Sequence, residues 1–497
     1  MHKVFGGEFT SPLVYCDIAM SSNENNSLIC PYRKKCGGCQ LLNMTYEEQL
    51  SHKQKTEIRL LGSFCHVDEI IGMDFPYKYR NKAQYAFGNR NGKIICGVYQ
   101  SSTHKIVDIE ECLLTTDKAD EIALTVKKLL KSFKLRAYDE NTKSGFLRHL
   151  LIKTGFKSGE IMVVLVTGTQ EFPKKRSFVN ALLKAHPEIK TVVQNVNNRF
   201  TSMVLGSKSE VLFGDGKITE QLCGLSFRIS PKAFYQINPI QTENLYNTAL
   251  KLADFRGGEN IIDAYCGTGT IGLIASGKVG SVTGVEINAD AVKDAKENAK
   301  LNGIKNIKFY TADAGEFMTA VAAEKTKVDA VIMDPARAGA DIPFLSSLVS
   351  LKPEKVIYIS CNPETLKRDL HYLVKNGYKV KKIQPVDMFP HTEHVETVVQ
   401  LVRKKPDTYI DITVDMDELD LTSSEAKATY DEIKDYIFDK HCIKVSSLYV
   451  AQVKQKHGII ERDCYNNPKK DNPKQPQCPP EKVKLIEEAL RHFKMIP

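Results

Sequence analysis

Residues 259–273 read ENIIDAYCGTGTIGL, and the fold is decided there. An apolar run leads to Asp263, Gly267 and Gly269 follow, and an apolar helical pattern begins at Thr270. Strand, tight glycine turn and helix, in that order, mark the ligand-binding edge of an open α/β sheet. Glycine permits the backbone to turn tightly and to approach a ligand closely. Outward from this stretch the alternation continues. SVTGVEI, NIKFYTA, KVDAVIMD and EKVIYIS have strand character, and helical patterns such as DAVKDAKENAKLNG separate them. Two more strands are expected near residues 378–387 and 397–402. Strands alternating with helices predict βαβ units around a parallel sheet.

The acidic residues at the strand ends indicate the ligand. Glu286 closes the strand after the glycine turn, where a carboxylate can take both hydroxyls of a ribose. Asp313 closes the next, placed to meet an adenine amino group. The turn lacks the third glycine of the dinucleotide pattern, so a pyrophosphate at the helix N-terminus is not favoured. S-adenosylmethionine, with ribose and adenine but no phosphate, fits better than NAD. The fourth strand ends in DPAR (residues 334–337) and the fifth in SCNP (360–363). Asn-Pro stops that strand at once, which sets Cys361 on the rim rather than in the core. Residues 387–397, DMFPHTEHVET, carry two His and two Glu around Pro390. His391 and His394 lack a third ligand of suitable spacing, so no metal is expected there.

The chain has 497 residues, enough for about three domains. Hydrophobic residues make up 42%, which rules out disorder throughout. No long uncharged apolar run and no basic-then-apolar start occur, so neither a membrane span nor a secretory signal is expected, and the expected compartment is the cytoplasm. The net charge of +9 is uneven: residues 407–497 carry 14 Lys plus Arg and 17 Asp plus Glu, net −3, and residues 1–406 carry 55 and 43, net +12. A basic body of this size suits a polyanion such as RNA or DNA.

Four segments are expected: a leader over 1–29, a β-rich domain over 30–230, a catalytic domain over 231–406 and a helical extension over 407–497. In the second, TYEEQLSHKQKTEIRLLG and EIALTVKKLLKSF read as helices and the rest as antiparallel hairpins. It opens with CPYRKKCGGC, in which Cys30, Cys36 and Cys39 crowd together. Three thiolates so close need one more ligand, and from spacing alone zinc is about as suitable as iron. Thirteen cysteines in a chain without an export signal argue against a disulfide framework. In YKYRNKAQYAFGNRNGK, Arg80, Lys82 and Arg90 stand among Tyr77, Tyr79 and Tyr85, combining phosphate-binding charge with stacking surface. The extension has an acidic stretch, two helical patterns similar to a helix-turn-helix, a Pro-rich loop and a last helix; a small helical appendage is favoured over a nucleic-acid-reading module.

FYQINP, DAYCGTGTIGL, VEIN, DPARAG, SCNP and DMFPHTEHVET, in this order and spacing, resemble the S-adenosylmethionine-dependent RNA uracil-5-methyltransferases, within them the iron–sulfur branch that acts on 23S ribosomal RNA. The resemblance runs from Cys30 to about Val402. It implies a Rossmann-like methyltransferase domain, cofactor contacts from Gln236, Tyr265, Glu286 and Asp334, Cys361 as nucleophile and Glu396 as base. It also implies a [4Fe-4S] cluster on Cys30, Cys36, Cys39 and Cys112. Uracil carbon 5 is too weak a nucleophile unaided, so a thiolate adds first to carbon 6 and a base later takes the carbon 5 proton. The target base must be flipped or unpaired. A monomer is expected. The rivals are the tRNA T-loop branch and a non-catalytic RNA-binding iron–sulfur protein. The small β-barrel that begins many relatives does not fit within 29 residues, and the extension is outside the family pattern.

Overall fold

The computed structural model describes residues 30–101, 103–199, 203–404, 429–441, 443, 445–457, 459, 477–493 and 495–496. The leader expected over 1–29, the acidic stretch after residue 406 and most of the Pro-rich loop lie outside them. The chain divides into two compact units, one ending at Pro406 and the other Asp407–Pro497.

The larger unit holds two seven-stranded sheets. Helix α1 (Tyr46–Leu61) opens the described part, its start set by a capping box: the Glu48 N–H donates to Thr45 Oγ1 at 3.3 Å and the Thr45 N–H to Glu48 Oε2 at 2.8 Å, so two donors at the helix start are satisfied locally. Next come β1 (Lys82–Arg90), β2 (Lys93–Tyr99), β3 (Ile106–Asp108), α2 (Asp117–Ser132), β4 (Leu147–Thr154), β5 (Ile161–Thr167), α3 (Lys175–Ala185), β6 (Ile189–Val196) and β7 (Lys208–Phe213). They form a sheet of order β3-β2-β1-β4-β5-β6-β7. All its pairings are antiparallel except β5 with β6. The expectation of hairpins alone missed this pair and its crossover helix α3. The signal was present in Phe178, Val179 and Leu182, buried on one face, but that apolar stripe is short and lysine-rich.

A hairpin of β8 (Ile218–Leu222) and β9 (Leu225–Ile229) and helix α4 (Pro239–Ala253) lead into the second sheet. Its elements are β10 (Asn260–Ala264), α5 (Thr270–Ser276), β11 (Ser281–Glu286), α6 (Ala289–Leu301), β12 (Ile307–Thr311), α7 (Ala314–Ala323), β13 (Ala330–Met333), α8 (Ile342–Leu351), β14 (Lys355–Ser360), α9 (Pro363–Lys375), β15 (Tyr378–Val386) and β16 (Glu396–Arg403). The order is β12-β11-β10-β13-β14-β16-β15. The first five strands are parallel, as expected; β16 runs antiparallel to both β14 and β15. This is a Rossmann-like α/β sheet with apolar cores on both faces, as βαβ crossovers require.

In the smaller unit, α10 (Tyr430–His441), α11 (Ser447–Lys456) and α12 (Pro480–His492) close on Ile433, Ile437, Val450, Val453, Ile486 and Leu490. The basic residues of α11 that suggested a nucleic-acid reader are engaged within this unit. Lys454 is buried over the Tyr430 ring at 4.4 Å, and Lys456 pairs with Glu487 at 3.3 Å. Among the described residues no helix is long and apolar enough to cross a membrane.

Candidate active site and cysteine cavity

The carboxyl ends of β10, β11, β13 and β14 open on a cleft of about 580 Å3 lined by Gln236, Tyr265, Glu286, Asp313, Asp334, Cys361 and Glu396. The sheet register brings these together. Ala264 pairs with Met333 and with Val285, so Tyr265, Asp334 and Glu286 leave adjacent strands at one level. Ser360 pairs with Thr397 across the antiparallel β14 and β16, so Cys361 and Glu396 come out beside one another.

The glycine turn is conformationally demanding. Tyr265, Gly267 and Gly269 all have positive φ, 64°, 54° and 77°, and such strain in a non-glycine residue clusters at ligand sites. A Cβ on Gly269 would stand 2.7 Å from the Phe309 ring. Glu286 holds the turn in place, its Oε2 accepting from the Gly267 N–H at 3.1 Å and its Oε1 from the Asn288 N–H at 2.9 Å. Asp313 caps α7, its Oδ1 accepting from the N–H groups of Gly315 and Glu316 at 2.9 and 3.1 Å. Gln236 is buried, its carbonyl accepting from Asn81 Nδ2 at 2.9 Å.

At the reacting end three acids crowd together. Burial, then repulsion from Glu396 and Asp334, push the Cys361 thiol up to about 11, while Arg337 works the other way. Burial pushes Asp334 up to about 7, although it keeps an open face on the cleft. Glu396 is 3% exposed and rises well above the usual carboxylate range, through burial first and the charge of Asp334 second. Its Oε2 has no hydrogen-bond partner among the described residues. Adjacent carboxyls in a dry site titrate as a pair and favour sharing a proton.

Sequence reading overlooked Arg337, whose charge opposes the rise in both Cys361 and Glu396; its place three residues after Asp334 at a strand end was the available signal. It also overlooked Tyr246, which lines the cleft from α4 with its hydroxyl 3.2 Å from Thr270 Oγ1. Nothing local distinguishes that Tyr from a core residue. Asp263 is buried with Oδ1 unpartnered among the described residues and its pKa raised by burial to about 8.

Both ring nitrogens of His391 are engaged within the protein. Its Nε2 lies 3.0 Å from the Pro76 carbonyl, which can only accept, so Nε2 holds the proton and Nδ1 accepts from Gln49 Nε2 at 3.2 Å.

Cys30, Cys36, Cys39 and Cys112 line a separate cavity of about 510 Å3 with Arg80. Among the described residues no three His, Cys, Asp or Glu side chains are arranged as a ready metal site. The donor set still suits a thiolate-bound metal. Cys36 Sγ accepts from the Gly38 N–H at 3.4 Å and Cys112 Sγ from the Leu114 N–H at 3.5 Å. A Cβ on Gly37 would stand 2.5 Å from the Ser101 side chain, so the loop needs glycine there. Burial pushes Cys39 up to about 12. Of the aromatic residues expected to stack RNA bases, Tyr79 and Tyr85 are instead buried, their hydroxyls bonded to the Pro390 carbonyl at 3.0 Å and Asp120 at 2.6 Å. Tyr85 is turned inward from β1, and Tyr79 from the segment that leads into it.

Comparison with known proteins agrees with this geometry. Residues 45–404 match the family described as tRNA (Uracil-5-)-methyltransferase; the loop with Cys30, Cys36 and Cys39 lies ahead of the match. An uncharacterized RNA methyltransferase of Halalkalibacterium halodurans is 43% identical over 380 residues, 76% of this chain and 83% of the relative. One of Clostridium tetani is 42% identical over 374 residues, 74% and 81% of the two chains. The crystal structure of Pyrococcus abyssi tRNA (uracil-54, C5)-methyltransferase in complex with S-adenosyl-L-homocysteine is 28% identical, with a TM-score of 0.63 over 74% of this chain and 86% of that one. The chain belongs to the RNA uracil-5-methyltransferase family, enzymes that use S-adenosylmethionine to methylate RNA.

Proposed function

We propose that the chain methylates carbon 5 of a uridine in 23S ribosomal RNA through a covalent adduct on Cys361. The observation that carries this reading is the β14–β16 register, which sets Cys361 beside Glu396 with Asp334 on the neighbouring strand. Gln236, Tyr265, Glu286, Asp313 and Asp334 are the proposed cofactor contacts. When bound, S-adenosylmethionine supplies an electrophilic methyl and a positive charge that favours the ionised forms of the three nearby acids.

Cys361 gives its proton to Asp334, and the thiolate adds to carbon 6 of the flipped uracil, leaving carbon 5 as a nucleophilic enolate. Carbon 5 takes the methyl group. The Glu396 carboxylate then removes the remaining carbon 5 proton, the bond between carbon 6 and sulfur breaks, and the departing thiolate recovers its proton from Asp334. Glu396 passes the net proton to solvent. Arg337 steadies the thiolate. Cys361→Ala is expected to abolish transfer of labelled methyl to RNA, and Glu396→Gln to accumulate a protein–RNA adduct that survives a denaturing gel. Wild-type turnover by Cys361→Ala would overturn the mechanism.

Cys30, Cys36, Cys39 and Cys112 are the proposed ligands of a [4Fe-4S] cluster, which would fasten the RNA-facing part of the chain and supply no electron to this polar reaction. The single cavity and the N–H groups aimed at two of its sulfurs support this reading. A reducing compartment keeps free thiols available as ligands, so a cytoplasmic location is proposed, and the chain is proposed to act as a monomer. The solved relative acts on tRNA, and this is the rival substrate. Mapping 5-methyluridine in ribosomal and transfer RNA of a deletion strain decides: loss from tRNA alone refutes the 23S assignment.

A further inference from the structure

Away from the cleft, the first sheet has a cavity of about 190 Å3 walled by Tyr99, His104, Tyr138, Glu140, Arg148 and His149. It owes its chemistry to a defect in the sheet. Leu147 pairs with Thr167 but His149 pairs with Val166, so Arg148 is the extra residue of a β-bulge. Consecutive strand residues otherwise face opposite sides; a bulge re-aims a side chain, and bulges are over-represented beside functional sites. Here both neighbours line one cavity.

Arg148 and His149 are 5% and 6% exposed. Arg148 is held by its Nη1, which donates to the carbonyls of Asn197 at 2.8 Å and Arg199 at 2.9 Å, and its guanidinium lies over the Tyr138 ring at 4.6 Å. Arg148 Nε and His149 Nδ1 are buried with no partner among the described residues. Buried polar atoms are rarely left unpaired, because each costs its desolvation, so these two point to a ligand. Burial, then the charge of Arg148, hold His149 at a pKa of about 4, so its neutral ring has one donor and one acceptor nitrogen. Opposite, the Glu140 carboxylate accepts from the Tyr99 hydroxyl at 3.3 Å and meets His104 Nδ1 at 3.0 Å. The Tyr99 ring stands edge-on to His104 and His149.

We propose that this cavity takes one unpaired guanine base of the RNA on which the enzyme acts. The size fits a single base. Guanine alone presents two adjacent N–H donors for a carboxylate such as Glu140 together with O6 and N7 acceptors for an arginine N–H, and the tyrosines supply stacking surface. The inference rests on RNA being the substrate and makes the first sheet a second point of base recognition beside the catalytic cleft.

The test uses the full chain and single-stranded RNA 20-mers of random sequence, alongside a matched library made without guanosine. The wild type is expected to bind the guanosine-free library about tenfold more weakly, which is ~1.4 kcal/mol. Tyr99→Ala and Glu140→Gln are expected to lose that discrimination, and Tyr99→Phe, which keeps the ring, to retain it. Ultraviolet crosslinking followed by peptide mass spectrometry should find guanosine adducts on peptides from residues 99–104 or 138–149. Equal affinity of the wild type for both libraries, adducts of another base there, or adducts only on cleft peptides would overturn the proposal. A failed methyl-transfer assay with the crosslinks intact would instead count against the catalytic reading alone.

Discussion

Replacing Lys53 by methionine should unfasten the segment that ends in the proposed base. Lys53, on α1, and Asp387 are both 0% exposed and 2.6 Å apart; Lys53 also donates to the Phe389 carbonyl at 3.1 Å. Asp387 accepts from the Tyr46 hydroxyl at 2.8 Å, the Tyr79 hydroxyl reaches the Pro390 carbonyl at 3.0 Å, and the Leu41 N–H reaches the His391 carbonyl at 3.0 Å. This set of contacts leads along residues 387–396 to Glu396. Lys53→Met keeps the aliphatic stem but strands the Asp387 charge in a dry site, which costs about 3–5 kcal/mol. Burial outweighs the attraction of Asp387 and lowers the Lys53 pKa, so that attraction falls short of offsetting the desolvation of Lys53. Lys53→Met with Asp387→Leu should therefore recover most of the loss, since an apolar pair of similar volume replaces it. Urea unfolding followed by far-ultraviolet circular dichroism measures both variants, with the slope m checked for constancy. Methyl transfer should fall in the single variant. A loss below about 1 kcal/mol in Lys53→Met, or a double variant as unstable as the single one, would refute the argument, because breaking one side of a buried pair is the costly step.

Three further outcomes are expected. Glu57 is buried, accepts from Thr397 Oγ1 at 2.9 Å and has its pKa raised by burial from 4.5 to about 7. The folded state thus keeps a proton that the unfolded chain releases: the contribution is complete below about pH 4.5 and is lost as pH rises to about 7, at most ~3 kcal/mol. Glu57→Gln should flatten the fall in unfolding free energy across that window, and an unchanged slope would count against the reading. Gly269→Ala adds about 1–2 kcal/mol of left-handed backbone cost and a collision with Phe309, whereas Gly267→Ala meets nothing within 4 Å; calorimetry should show S-adenosylmethionine binding weakened more in the first. Cys112→Ser should abolish the brown colour and iron content of anaerobically purified protein, and a colourless zinc-containing wild type would overturn the cluster assignment.

Much of the site was legible because its cues are local. The positive-φ glycines after β10 and the acidic residues closing β11 and β12 each depend on neighbours a few residues away. Asp313 shows the limit of such cues, since its place at a strand end is equally that of the α7 cap it forms. Tyr79 and Tyr85 show another: a basic, aromatic hairpin pattern does not say which face is buried, and both rings entered the core.

By itself the sequence determined the alternation of strand and helix around residues 259–273, the turn that needs glycine, and the residue types able to do the chemistry, because hydrophobic period and backbone preference act over single turns. The resemblance grouped Cys361 with Glu396 and Cys112 with three distant cysteines, but the tertiary structure decided how they meet, through the β14–β16 register and one shared cavity; it alone decided that α1 inserts Lys53 against Asp387 and that a bulge turns Arg148 and His149 into one cavity. Each of these depends on which segments pair and in what register, and that choice is made by burying the apolar faces of the whole unit together.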